Sequence, residues 1–194
     1  MKLIPITNVN SWKPAPKAKK TSPYKMQREV MNEFMKPLRL FLRGICLNPR
    51  GSEHYKLVLK ENLQRAFKCV YVREIDYSRI LVSKGKLPLP RNISVKSRVP
   101  GALLFSWNDN SGRRGAYWTD YLFVALYHHH SGKWVFEMNE AIRSDCEFDM
   151  DVYGLEGQTV HIYAGFFSRD CDRVSKSVFL GKVKIISMVS GLRA

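Results

Sequence analysis
Closely spaced cysteines are missing: Cys46, Cys69, Cys146 and Cys171 stand far apart and form no CxxC pair. Zinc needs ligands at short spacing, so the four read as buried, reduced thiols, and neither a metal nor a cofactor is expected. No apolar run approaches the roughly 18 residues of a membrane span, which leaves no membrane partner to expect. Met1 to Val9 carries one lysine and lacks the apolar stretch of a secretory leader. The expected location is therefore the cytoplasm, or a virion-like particle assembled there. No G-x-G-x-x-G, P-loop or G-x-S-x-G run is present. Ser22-Pro23-Tyr24-Lys25 has S-x-x-K spacing without the companion motifs of a serine acyl-enzyme. The expectation is a non-enzyme with no catalytic residues.

Acids are also scarce, but only in one half. Residues 1–115 hold 24 Lys/Arg against 7 Asp/Glu, a balance of +17. Residues 116–194 hold 8 against 10, a balance of −2, within a chain of net charge +15. Such asymmetry points the basic half at a polyanion, or at the acidic end of a neighbouring copy. Hydrophobic residues make up 45% and aromatics 12%, enough for a packed core.

Residues 1–22 form a Pro/Lys-rich arm without an acid, in which Trp12 is a candidate protein anchor and Lys13, Lys17, Lys19 and Lys20 are candidate polyanion contacts. Residues 23–83 read as a helical pair and a first strand. Ser22-Pro23 opens the first helix, whose stripe is Val30, Phe34, Leu38, Phe41 and Ile45. Pro37 predicts a kink or two abutting helices. Lys25, Arg28, Lys36, Arg39 and Arg43 cover the rest of that surface, the common pattern of a solvated face. Ser52-Glu53 opens a second helix that turns Tyr55, Leu59, Leu63, Ala66, Phe67 and Val70 toward the first. Ile75 to Ser83 is strand-like. Residues 84–100, with Pro88, Pro90 and Pro100, read as a connector.

Residues 101–194 carry short strands at regular spacing, the pattern of an immunoglobulin- or fibronectin-III-like antiparallel sandwich. The clearest is Gly157–Ser168, where Val160, Ile162, Ala164 and Phe166 face one way and Thr159, His161, Tyr163 and Phe167 the other. That alternation predicts a strand buried mainly on one side. Its neighbour, Ser177 to Ile185, changes parity at Gly181, which marks a bulge.

Several of these segments resemble a Bacteroidota family of uncharacterised proteins, domain-of-unknown-function family 6266. They are SWK at Ser11–Lys13, KPLRLFLRGI at Lys36–Ile45, IDYSRILVSKGKLP at Ile75–Pro88, FSWNDNSG at Phe105–Gly112 and TDYLFVALY at Thr119–Tyr127. AIRS at Ala141–Ser144, GQTVHIYAGFF from Gly157 and VFLG from Val178 extend the likeness over most of Tyr24 to Ile185. The resemblance implies the architecture and no catalytic residue, since the family has no assigned activity. Its members usually begin with a glycine-rich stretch, where this chain has its Pro/Lys arm.

Asp145, Glu147, Asp149 and Asp151 alternate with apolar residues and predict a row of carboxylates on one strand face. The row reads as a solvated edge that discourages pairing, or as a protein-docking surface for a basic partner. A straight strand spreads its oxygens and suits calcium poorly. His128, His129 and His130 run into a hairpin turn and read as exposed. Arg113 and Arg114, beside Tyr117 and Trp118, join Lys25 and Arg28 as candidate polyanion contacts, holding phosphate without sequence preference. The expected fold is α+β, with the arm and helices packed on the sandwich. The expected function is a non-enzymatic structural or binding protein that contacts nucleic acid or another polyanion through its basic half and protein through its sandwich, as a nucleoprotein or virion-like assembly requires. The alternatives are a pure self-assembly module that forms a homo-oligomer, and an enzyme whose site one sequence does not reveal.

Overall fold
The structure, a computed structural model, describes residues 22–47, 51–69 and 73–187. Trp12, Lys13, Lys17, Lys19, Lys20 and Val70 lie outside the described residues. Helix α1, Pro23–Met35, starts where Ser22 Oγ accepts the Lys25 amide at 3.3 Å and Pro23 occupies the first turn. Pro37 has no N–H to continue the ladder, so the stripe divides, and α2, Leu38–Ile45, abuts α1. Helix α3, Gly51–Arg65, follows. Buried Met31, Phe34, Leu38, Phe41, Leu42, Ile45, Tyr55 and Val58 place the helices' apolar faces in one core.

The β part is a sandwich of two antiparallel sheets. One contains β1 (Arg91–Lys96), β2 (Ala102–Asn108) and β5 (Glu147–Asp151), in the order β1-β2-β5. The other contains β3 (Tyr121–His128), β4 (Lys133–Ile142), β6 (Thr159–Phe167) and β7 (Val178–Lys184), in the order β4-β3-β6-β7. A three-plus-four arrangement with this strand order is that of a fibronectin type III domain, so the fold is α+β as expected. Leu103, Phe105 and Trp107 of β2 meet Leu122, Val124 and Leu126 of β3 and Val160, Ile162 and Phe166 of β6 between the sheets. The bulge at Gly181 is present: the β6–β7 register shifts between Ile162 and Tyr163, and Gly181 holds φ +123°.

The expectation that β6 is buried mainly on one side is corrected. Tyr163 and Phe167 on its outer face are buried, as are Phe123, Ala125 and Tyr127 on β3, because the helices cover that face. Phe41 stacks on Phe136 at 4.6 Å, Phe34 meets Tyr127 edge-on at 4.8 Å, and the Trp134 indole N–H donates to the Phe34 carbonyl at 3.0 Å. Each fully buried large side chain in this layer contributes roughly 1.5–3 kcal/mol, so helices too short to persist alone are held by the sheet. The molecule has three layers: helices, the four-stranded sheet and the three-stranded sheet.

Other local expectations change too. Ile75 to Ser83 contains a 3-10 turn, Tyr77–Arg79, and no named strand. Asp76 Oδ1 caps the turn through the Ser78 amide at 3.2 Å. The following amides bond to side chains, Leu81 N–H to Asn62 Oδ1 at 2.8 Å and Val82 N–H to Ser177 Oγ at 2.8 Å. The segment read as a connector contains β1, an edge strand entered just after Pro88 and Pro90, where a missing donor is tolerated. The cysteines are free, but only Cys46 is buried; Cys69 is exposed, while Cys146 and Cys171 are half-buried. Cys146 sits in a left-handed turn at φ 61° ahead of β5, so it is no strand residue. Among the described residues no helix is long and apolar enough to cross a membrane.

Candidate anion-binding groove on the helical layer
Each helix carries residues four apart that share a face: Arg28 and Asn32 on α1, Arg39 and Arg43 on α2, Ser52 and Lys56 on α3. When the helices pack, these pairs line one groove of about 420 Å³. Tyr55 and Leu59, also four apart on α3, complete its walls. Arg28, Arg39, Arg43 and Lys56 are exposed, and no Asp or Glu is among the described residues lining the groove. The Arg39 guanidinium lies over the Tyr55 ring, 4.8 Å from its centroid. Tyr55 is 5% exposed, and its hydroxyl has no hydrogen-bond partner among the described residues. Four cations without a counter-charge attract an anion, and arginine forks match the oxygens of phosphate.

The polyanion contacts expected from the sequence fall at different places. Arg28 lines the groove, and Lys25 is exposed on α1. Arg113 and Arg114 line a separate cavity of about 490 Å³ in the β2–β3 loop, with Arg91 and Asp109. Hydrogen bonds from the Ser111 hydroxyl and amide hold the Asp109 carboxyl below the usual range, so this second cavity keeps a negative charge. Arg39, Arg43 and Lys56 were absent from the expected set. Their spacing was in the sequence, but a basic helix face reads as solvated until a neighbouring helix closes a groove against it.

The acidic row is shorter than expected. Glu147, Asp149 and Asp151 are exposed on β5, an edge strand, opposite Ser106, Leu104 and Ala102. Asp145 does not belong to the row: it lies in the 3-10 turn Arg143–Asp145 and accepts the Ile142 amide at 2.8 Å. His128 Nδ1 pairs with the Ser131 hydroxyl at 2.9 Å, and His129 Nδ1 with the Tyr77 hydroxyl at 3.0 Å.

His161, on the helix-facing side of β6, was placed on this face by the sequence but given no role there. Its ring lies 4.5 Å from that of Tyr77, and its Nδ1 is buried without a partner among the described residues. Burial pushes its pKa down to about 4, with nearby Lys182 and His129 acting in the same direction. Burial also raises the Tyr77 hydroxyl. In the unfolded chain His161 takes up its proton near the ordinary value of about 6.5. Between about 6.5 and about 4 the unfolded state therefore binds more protons, and stability is lost as pH falls through that window. Urea midpoints taken in pH steps should drop across it, and His161→Gln should flatten the drop. Burial also holds the His54 imidazole low, adding a slope of the same sign below about 6.5. Asp109 and Asp170, whose carboxyls are held low, add one at lower pH, and this variant leaves all three in place. An identical profile in the variant would remove His161 as the cause.

The model of a family of unknown function (DUF6266) matches residues 14–181. The chain belongs to that family. The span shared with DUF6266 contains all three helices, and with them Arg28, Arg39, Arg43 and Lys56, and ends inside β7. No curated protein matches the chain. Among solved structures it is similar to the fn3 domain of the human collagen alpha-1(XX) chain, at 13% identity over 56% of this chain and 93% of that one, TM-score 0.42. It is similar also to an fn3 domain of human contactin 1, at 8% identity over 58% and 88%, TM-score 0.44. A third is the FN5 domain of Drosophila Lar, at 13% identity over 51% and 96%, TM-score 0.36.

Proposed function
We propose that this chain is a non-enzymatic binding protein whose basic half contacts a polyanion, nucleic acid foremost, while the sandwich packs against protein. The observation that carries the reading is the groove, where Arg28, Arg39, Arg43 and Lys56 converge without a carboxylate among its lining residues. The lysines of residues 13–20 extend the same sign of charge along the chain. A protein of this kind suits a nucleoprotein or virion-like particle in the cytoplasm of one of the Bacteroidota, where phosphate contacts position a strand and read no sequence.

The test is anisotropy of a labelled oligonucleotide over a salt series, beside size-exclusion chromatography that follows the 260/280 nm ratio. Affinity should fall linearly in log salt, with a slope of about −0.9 for each duplex phosphate neutralised. Arg39→Glu with Arg43→Glu should make the slope shallower and weaken binding by about a hundredfold, as expected for two reversed contacts. A clean protein that elutes as the same oligomer at low and high salt, and binds no oligonucleotide, sinks the reading. Self-assembly would then take its place, favoured by the exposed acids of edge strand β5. In that case Asp149→Lys with Asp151→Lys should dissociate the oligomer.

A further inference from the structure
Within the polyanion reading, and resting on it, we propose that the helical groove is a discrete site for a terminal phosphate, a phosphomonoester dianion. A run of phosphodiesters spreads single charges along its length, and the cations that hold it are strung out to match. A phosphomonoester gathers close to two charges on three acceptor oxygens at one point. The groove is built for the second case. Arg28, Arg39, Arg43 and Lys56 reach one space from three helices, and its volume of about 420 Å³ fits a small group. Ser52 adds a hydroxyl in the first turn of α3, where the helix presents its positive end.

Tyr55 closes one wall of the site. Its ring is buried and covered by Arg39, so a nucleobase has no free Tyr55 face to stack on. An arriving phosphate oxygen gives Arg39 a partner for its fork.

The test uses the full chain at fixed salt with three probes: a 5′-phosphorylated oligothymidylate, its 5′-hydroxyl twin and inorganic pyrophosphate. The phosphorylated strand should bind about tenfold more tightly than its twin, and pyrophosphate should cancel that advantage. Arg43→Ala and Lys56→Ala should each erase the preference, whereas Lys25→Ala should weaken both strands alike. Equal binding of both strands overturns the terminal-phosphate site and leaves the broader polyanion reading standing. Saturable pyrophosphate binding that Arg43→Ala abolishes, with neither strand bound, supports the site for a small phosphorylated molecule and overturns the nucleic-acid reading. Failure of all three probes overturns both.

Discussion
Replacing Arg143 by Ala should destabilise the fold by about 3–5 kcal/mol, the range for removing one partner of a buried ion pair. Arg143 is 0% exposed and Asp120 1%. The guanidinium reaches Asp120 Oδ2 through Nε at 3.1 Å and Nη2 at 3.0 Å. It also donates from Nη1 to Asn110 Oδ1 at 2.6 Å and lies 4.6 Å over the Phe166 ring. Its backbone carbonyl accepts the Trp107 indole N–H at 2.7 Å. The residue thus ties β2 of one sheet to the ends of β3 and β4 in the other, and steadies the loop that holds Arg113 and Arg114. In the variant the Asp120 carboxylate stays buried and keeps the Tyr117 amide as a donor at 2.9 Å. Denaturant midpoints measure the loss. Arg143→Met with Asp120→Leu should recover much of it, since that pair leaves no charge behind. A loss below about 1 kcal/mol for Arg143→Ala would show the pair to be structurally idle.

Much of this architecture was legible because local chemistry and tertiary packing agree. Ser22-Pro23 starts a helix, Pro37 divides one, and Gly181, free to take a positive φ, carries a bulge. The third layer was hidden because its side chains are amphipathic. Tyr163 reads as half-polar, yet its hydroxyl donates to the Tyr77 carbonyl at 2.7 Å while its ring is buried under the helical layer. Strand β1, RNISVK, shows only Ile93 and Val95 as apolar residues behind two prolines, so pattern alone hid an edge strand. The acidic alternation overran the true strand, because nothing in Asp145-Cys146 announces the left-handed turn that divides them. The groove was half legible. The charges of Arg39 and Arg43 were plain, but their convergence with Arg28 and Lys56 depends on how three helices dock, which no single helix encodes.

Gly85→Ala should be the second large effect, about 3 kcal/mol, at the upper end of ordinary overpacking. A methyl group there would lie 1.9 Å from the Val174 carbonyl oxygen and 2.8 Å from its carbon. Those are backbone atoms, so no rotamer change can relieve the overlap. Nor can the two chains simply part. Val174 O accepts the Leu87 amide at 3.1 Å, and Ser83 Oγ donates to the Ser175 carbonyl at 2.8 Å. The Ser177 amide donates to the Ser83 carbonyl at 3.1 Å. This crossing links the segment after the helices to the one that leads into β7, and separating it leaves several buried polar groups unpaired. Glycine here serves close approach and not a left-handed turn, which makes the prediction specific. Gly112→Ala, at φ +76° with open space around the added carbon, should lose only the smaller backbone contribution, about 1 kcal/mol. Equal midpoints for the two variants would mean that the crossing yields easily. A Gly85→Ala chain that melts well below Gly112→Ala would establish this crossing as a joint between the segment after the helices and the one that leads into β7.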